Sequence, residues 1–144
     1  MKSYVISFIL IFTIPISSFA MKYNITSFGA IGDGVTLNTK AIQNAIDKAF
    51  ADGGGVVVIP AGKFVSGSIV LKSGISLHLE KRAVLLGSIN ISDYIKLNRW
   101  KALIMADGVT NISITGKGTI DGRGDQLALH IDSLFYAGKI DSHN

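Results

Sequence analysis

Cysteine is absent from this chain of 144 residues, so no disulfide staples it and no thiolate site can hold a metal. Proline is scarce, with two residues against sixteen glycines. Together with an apolar fraction of 48%, that ratio excludes a disordered chain and suits a turn-rich β protein. The glycine cluster Gly29-Ala30-Ile31-Gly32-Asp33-Gly34 lacks the Gly-Lys-Ser/Thr ending of a Walker loop and the G-x-G-x-x-G of a dinucleotide loop, which excludes both phosphate cradles. It reads as a tight connection in which glycine supplies positive φ. His78, His130 and His143 are spread too widely for a metal set. No metal ligand and no cofactor is predicted.

Long apolar runs are missing except at the start. Met1 to Ala20 has Lys2 at its head, an apolar run from Tyr4 to Ile16 broken by Pro15, and a small-x-small exit at Ser18-Phe19-Ala20. This is the pattern of a secretory signal peptide cleaved after Ala20, with a run shorter than the ~20 residues of a spanning helix. Cleavage removes Lys2 and no acid, taking the net charge from +4 to +3. Residues 21–144 are expected to form one domain, secreted or periplasmic. Its mild positive excess favours an acidic polymer as partner without requiring one.

From Gly53 to Ser88 the chain lays short apolar runs one after another. Val56 to Ile59 is a continuous β-branched run closed by Pro60 and predicts a strand covered on both faces. Ile69, Val70 and Leu71 follow after Gly62 and Gly67. Next, Ile75, Leu77 and Leu79 alternate with Ser76, His78 and Glu80, and Val84, Leu85 and Leu86 close the series at Gly87. No Asn-Gly or Asp-Gly hairpin turn separates these runs, and there is no room for crossover helices. What remains is an all-β, right-handed parallel β-helix, a solenoid in which each strand stacks on its counterpart in the next turn of the chain.

Ahead of the coil, Ala41, Ile42, Ala45, Ile46, Ala49 and Phe50 fall on one face at helical spacing, with Lys40, Gln43, Asn44, Asp47 and Lys48 on the other. Asn38 reads as the N-cap, Leu37 and Ile42 as a hydrophobic staple, and Gly53 as the residue that ends the helix. This amphipathic helix, about 38–52, is expected to cap the coil, whose first turn would otherwise expose its interior. Upstream, Tyr23 to Phe28 predicts a first short strand.

After Ser88 the chain leaves the coil. The stretch from Asn90 to Lys101 carries Tyr94, Trp100 and scattered charges. The rungs resume at Leu103 to Met105, then at Val109, Ile112 and Ile114, then at Thr119 and Ile120. The segment 111–122 repeats the layout of 74–85, as stacked but non-identical turns would. Leu127, Leu129, Ile131, Leu134 and Phe135 are expected in a further rung or its connector, and nothing after them looks like a cap. The expectation is therefore the front part of a longer coil.

The motifs GAIGDGVTLNTKAIQNAI, GGGVVVIPAGKFVSGSIVLKSGISLHLEKRAVLLGS and ISITGKGTIDGRG resemble the N-terminal part of glycoside hydrolase family 28, the polygalacturonases and rhamnogalacturonases that cleave pectin. The resemblance runs from Tyr23 to about Asn144 and implies an acidic plant cell-wall polysaccharide as partner, with no nucleic acid and no stable membrane insertion after signal cleavage. It also implies hydrolysis of a galacturonide with inversion, by carboxyl groups ~6.5–9.5 Å apart. The family's Asn-Thr-Asp, Asp-Asp, Gly-His-Gly and Arg-Ile-Lys motifs do not occur here, since Asn38-Thr39 is followed by Lys40. No catalytic residue is assigned, and this chain alone is expected to be inactive.

Other residues carry weaker readings. Asp121 and Asp125 flank Gly122-Arg123-Gly124, where an arginine in a polar turn can take a uronate carboxylate, although both acids more often close a turn on their own backbone. Glu80 sits with Lys81 and Arg82 in a solvated charge cluster. His130 and Asp132 would share one side of a strand. Trp100 and Tyr94 either stack on sugar rings or pin the excursion to the coil. Asn24, Asn90 and Asn111 begin glycosylation sequons, usable only in a eukaryotic host. Two rival functions stay open. One is a polysaccharide lyase or depolymerase on the same scaffold, and the other a non-catalytic, polysaccharide-binding coil.

Overall fold

A computed structural model describes residues 20–139. The expected signal peptide, but for Ala20, and His143 lie outside the described residues. In chain order the elements are β1 (Lys22–Asn24), β2 (Asp33–Leu37), α1 (Thr39–Ala51), β3 (Gly55–Ile59), β4 (Gly62–Ser66), β5 (Ile69–Val70), β6 (Ile75–Leu79), β7 (Ala83–Gly87), β8 (Ile104–Met105), β9 (Ser113–Gly116), β10 (Thr119–Asp121) and α2 (Gly124–Tyr136).

The named strands form three sheets, β1-β3-β6-β9, β2-β4-β7-β10 and β5-β8, and every pair in them is parallel. This is the right-handed parallel β-helix that the spacing of apolar runs predicts. Successive turns stack in register: Val57 pairs with Leu77 and Leu77 with Ile114, while Phe64 pairs with Leu85 and Leu85 with Ile120. The strands β6 and β7 alternate buried and part-buried residues, so one side chain in two enters the core. Val57, Ile59, Ile69, Ile75, Leu77 and Leu85 are fully buried there, each worth ~1.5–3 kcal/mol of removed apolar surface.

The helix α1 seals the start of this core. Ile42, Ala45, Ile46 and Ala49 are fully buried, whereas Phe50 stays half exposed beneath the Lys72 ammonium, 5.2 Å from its ring centre. The polar face is not idle. The Gln43 side-chain amide accepts from Val70 N–H at 2.8 Å and donates to Val70 C=O at 3.1 Å, so it pairs with the open edge of β5 as a neighbouring strand would. Lys72 then ties the helix down through Asp47 at 2.9 Å. At the C-terminus, Gly54 N–H reaches Ala49 C=O and Gly53 N–H reaches Phe50 C=O, with Gly53 at φ +96°. That is the six-to-one and five-to-two pattern of a Schellman ending, as expected of Gly53.

Several expectations are corrected. Asn38 occupies the N-cap position but its side chain does not cap the helix. It is buried, accepting from Ile31 N–H and donating to the carbonyls of Ile31 and Thr36, and so closes the loop around the glycine cluster. Leu37 ends β2 opposite Val65 and remains half exposed. The first strand stops at Asn24, because Asn24 Oδ1 takes the Thr26 N–H and starts a 3-10 turn over Ile25–Phe28, ended by Gly29 at φ +92°. The strand β4 is not among the predicted apolar runs, since Gly-Lys-Phe-Val-Ser-Gly carries only two apolar residues, yet Phe64 is almost wholly buried.

Further along, 113–116 stacks on 76–79 in the expected register. The corner that follows is two residues shorter, so Thr119 meets Val84. Val109 and Ile112 lie outside any strand. The residues from Leu127 to Phe135 form the helix α2 and not a rung. Leu127, Ile131 and Leu134 lie at i, i+4 and i+7, a helical spacing that is not seen when the run is read as a strand.

Candidate functional site

The outward positions of the sheet β1-β3-β6-β9 repeat from turn to turn and make a polar strip. Ser113 Oγ donates to Ser76 Oγ at 2.9 Å, and His78 Nδ1 lies 2.9 Å from Thr115 Oγ1. Beside them, Lys22, Asn24, Val56 and Glu80 complete a groove of about 380 Å³. At the corner leading to β7 and β10 it adjoins a shallower basin of about 660 Å³ flanked by Glu80, Lys81, Arg82 and Lys117. Glu80, Lys81 and Arg82 are all exposed, in keeping with a solvated charge cluster. His130 and Asp132, expected on one side of a strand, are two apart on the helix α2, which places them ~200° apart around its axis.

The second candidate region is the excursion between β7 and β8. A 3-10 turn at Ile91–Asp93, capped by Asn90 Oδ1, opens it. Tyr94 is buried, and its hydroxyl donates to Ser88 C=O at 2.8 Å, so of the two aromatic residues it is Tyr94 that pins the loop. Burial pushes its phenol pKa up. Backbone approach is close here. Any Cβ on Gly67 would strike the Asp93 carbonyl, which makes glycine the residue that lets the loop dock. Trp100, by contrast, keeps 69% of its surface exposed and borders a small cleft of about 230 Å³ over β8.

Among the described residues the acids do not assemble into a hydrolytic pair. Asp121 Oδ1 accepts from Arg123 N–H at 2.9 Å and closes the turn, while Arg123 Nε donates to Gly87 C=O at 2.6 Å. The guanidinium therefore fastens β10 to the preceding turn, and Asp125 falls in the first turn of α2. Where carboxyl pKa values depart from normal they fall. The Thr36 hydroxyl and backbone amides hold Asp33 down to about 2. Lys48 and the Tyr23 hydroxyl lower Asp52. For Asp47, burial pulls upward, but Lys72 and Gln43 together outweigh it. A general acid needs the opposite shift. Among the described residues no group of three or more His, Cys, Asp or Glu is placed to hold a metal ion.

Residues 22–130 match the family model described as rhamnogalacturonase A/epimerase, pectate lyase-like. The chain is 39% identical over 127 residues to a Vitis vinifera protein named "Probable polygalacturonase", covering 76% of this chain and 26% of that one. It is 42% identical over 118 residues to an exo-poly-alpha-D-galacturonosidase of Dickeya chrysanthemi, covering 70% and 19%. A shorter match, 60% over 48 residues, falls on mannuronan C5-epimerase AlgE5 of Azotobacter vinelandii. Among solved structures, the family 28 exopolygalacturonase of Yersinia enterocolitica superposes with a TM-score of 0.65 at 42% identity, over 72% of this chain and 21% of that one. The chain thus spans about a quarter or less of the length of these relatives. With 22–130 matched along the coil, it belongs to the rhamnogalacturonase A/epimerase, pectate lyase-like family.

Proposed function

We propose that this chain is the leading part of a secreted pectin-degrading glycoside hydrolase of the polygalacturonase type, which cleaves galacturonide linkages with inversion. The observation that carries the reading is the match to a probable polygalacturonase and an exo-poly-alpha-D-galacturonosidase over 76% and 70% of this chain. The polar outer strip and the basic corner suit an acidic polymer. Among the described residues no acids are paired, so this part's share of the work is to start the coil and to bind. Delivery outside the cytoplasm rests on the leader-like pattern of residues 1–20. No helix among the described residues is long and apolar enough to cross a membrane.

The test is product chemistry on polygalacturonate. An intact protein containing this sequence should release reducing ends, with the new anomeric centre inverted on NMR, while the 144-residue chain should release none. The epimerase match favours a second reading, proton abstraction at C5 of a uronate. It predicts ultraviolet-absorbing unsaturated ends for a lyase or solvent deuterium at C5 for an epimerase. Binding without any product from the intact protein would leave a non-catalytic coil.

A further inference from the structure

The chain has one tryptophan, and the fold does not use it for packing. Trp100 closes a two-residue hairpin: Leu97 and Trp100 exchange backbone hydrogen bonds of 2.9 and 3.0 Å around Asn98 and Arg99. Asn98 takes the positive φ, +56°, that such a turn requires at its first position. The feet of the loop are clamped by one buried hydroxyl. Ser68 Oγ accepts from Ile95 N–H at 3.2 Å and donates to Ala102 C=O at 2.7 Å, holding both limbs to the coil. An exposed indole is thus presented on a fixed support, so little ordering entropy remains to be lost when a ligand lands on it.

Four features define what would land there. The Arg99 guanidinium stands 5.7 Å from the indole centre, within cation–π range. With 69% of its surface open, the ring keeps area for a second partner. From Tyr94 to Lys101 the loop carries Lys96, Arg99 and Lys101 and no acid, while Asp107 lines the adjoining cleft and accepts from the Asn98 amide at 3.5 Å. Finally, the cleft between Trp100 and β8, about 230 Å³, is smaller than the ~300–1,000 Å³ pockets of drug-sized ligands and suits one sugar ring.

We propose that Arg99 and Trp100 form a binding platform for a single uronate unit of an acidic polysaccharide, the indole stacking on the C–H face of the sugar and the guanidinium taking its carboxylate. The proposal rests on the polysaccharide reading above and narrows it to a site.

Because Trp100 is the sole tryptophan, its emission reports directly on the platform. The full chain is titrated with an oligogalacturonate and with a neutral oligogalactose of equal length, and W100A is followed by calorimetry. The expected result is a saturable blue shift with the uronate and little with the neutral sugar. Arg99→Gln should weaken uronate binding about tenfold, about 1.4 kcal/mol, with R99K recovering part of it. W100A should lose binding. Circular dichroism of all variants should be unchanged, since both side chains are at the surface. No emission change with either sugar overturns the platform. So does equal response to both sugars with R99Q indifferent, and so does an emission that moves with protein concentration alone, which would place a second copy on Trp100. A failure of the hydrolase reading appears only in the products of the intact protein and leaves this binding curve as it is, so the two failures are separable.

Discussion

The helices α1 and α2 are both 13 residues long and lie toward opposite ends of the coil, and they relate to it in opposite ways. The first buries four side chains completely and lends a side-chain amide to the edge of β5. The second buries none. Just ahead of it in the chain, the inward ladders run out in the open: Ile114 is 49% and Ile120 42% exposed, although the residues they stack on, Leu77 and Leu85, are fully buried. A helix closes a solenoid only when its apolar stripe faces the axis and its polar face answers the exposed backbone. In the second helix the apolar stripe of Leu127, Ile131 and Leu134 is only part-buried.

Breaking the closed end should cost most. Replacing Ile46 with Asp places an unpaired carboxylate in the core, and the loss should exceed about 4 kcal/mol, a large part of a domain's stability. Thermal melting followed by circular dichroism should show it. The matching change in α2, Leu129→Asp at a 70% exposed site, should stay within about 0.5 kcal/mol. A large loss at Leu129 would erase the contrast between the helices.

The open end comes next. A chain ending at Asn144 should self-associate through the bare edges of β9 and β10, and Ile114→Lys with Ile120→Lys should shift sedimentation toward monomer. A monodisperse, cooperatively melting parent chain would contradict this. Gln43→Ala should cost about 1–3 kcal/mol, because it leaves the Val70 N–H and C=O without partners on that side. Faster amide exchange at Val70 would locate the effect.

A pH-dependent contrast belongs to Asp33. Its folded pKa, about 2, lies below the ordinary carboxylate value because of the Thr36 hydroxyl and nearby amides. Its contribution is therefore complete above pH ~4 and is lost as pH falls toward 2. The melting temperatures of the parent and Asp33→Asn should differ at pH 5 and converge near pH 2.

These contrasts also explain what the sequence disclosed. The strands β3 and β6 and the stripe of α1 were legible because alternation and helical spacing are local signals, as was the Gly53 ending. The strand β4 was not, since its assignment depends on Phe64 meeting Leu85 in the next turn, a contact with no trace inside Gly-Lys-Phe-Val-Ser-Gly. Asn38 and Gln43 looked like cap and solvent-facing residues, and their real partners, Ile31, Thr36 and Val70, are set by tertiary approach. At the surface, the sequence offered Tyr94 and Trp100 as equals. The fold places Tyr94 inside and Trp100 outside, a division that depends on how the loop feet meet Ser68 and Ser88.

The one-sided seal has a kinetic corollary. Each turn is held mainly by its immediate neighbours, so heat or denaturant should unravel this coil as a zipper pulled from its loose tail, with Tyr23 and Val57 the last to let go. Backbone deuterium uptake should then form a gradient along the axis, quickest near Thr115 and slowest beside the helix that starts at Thr39.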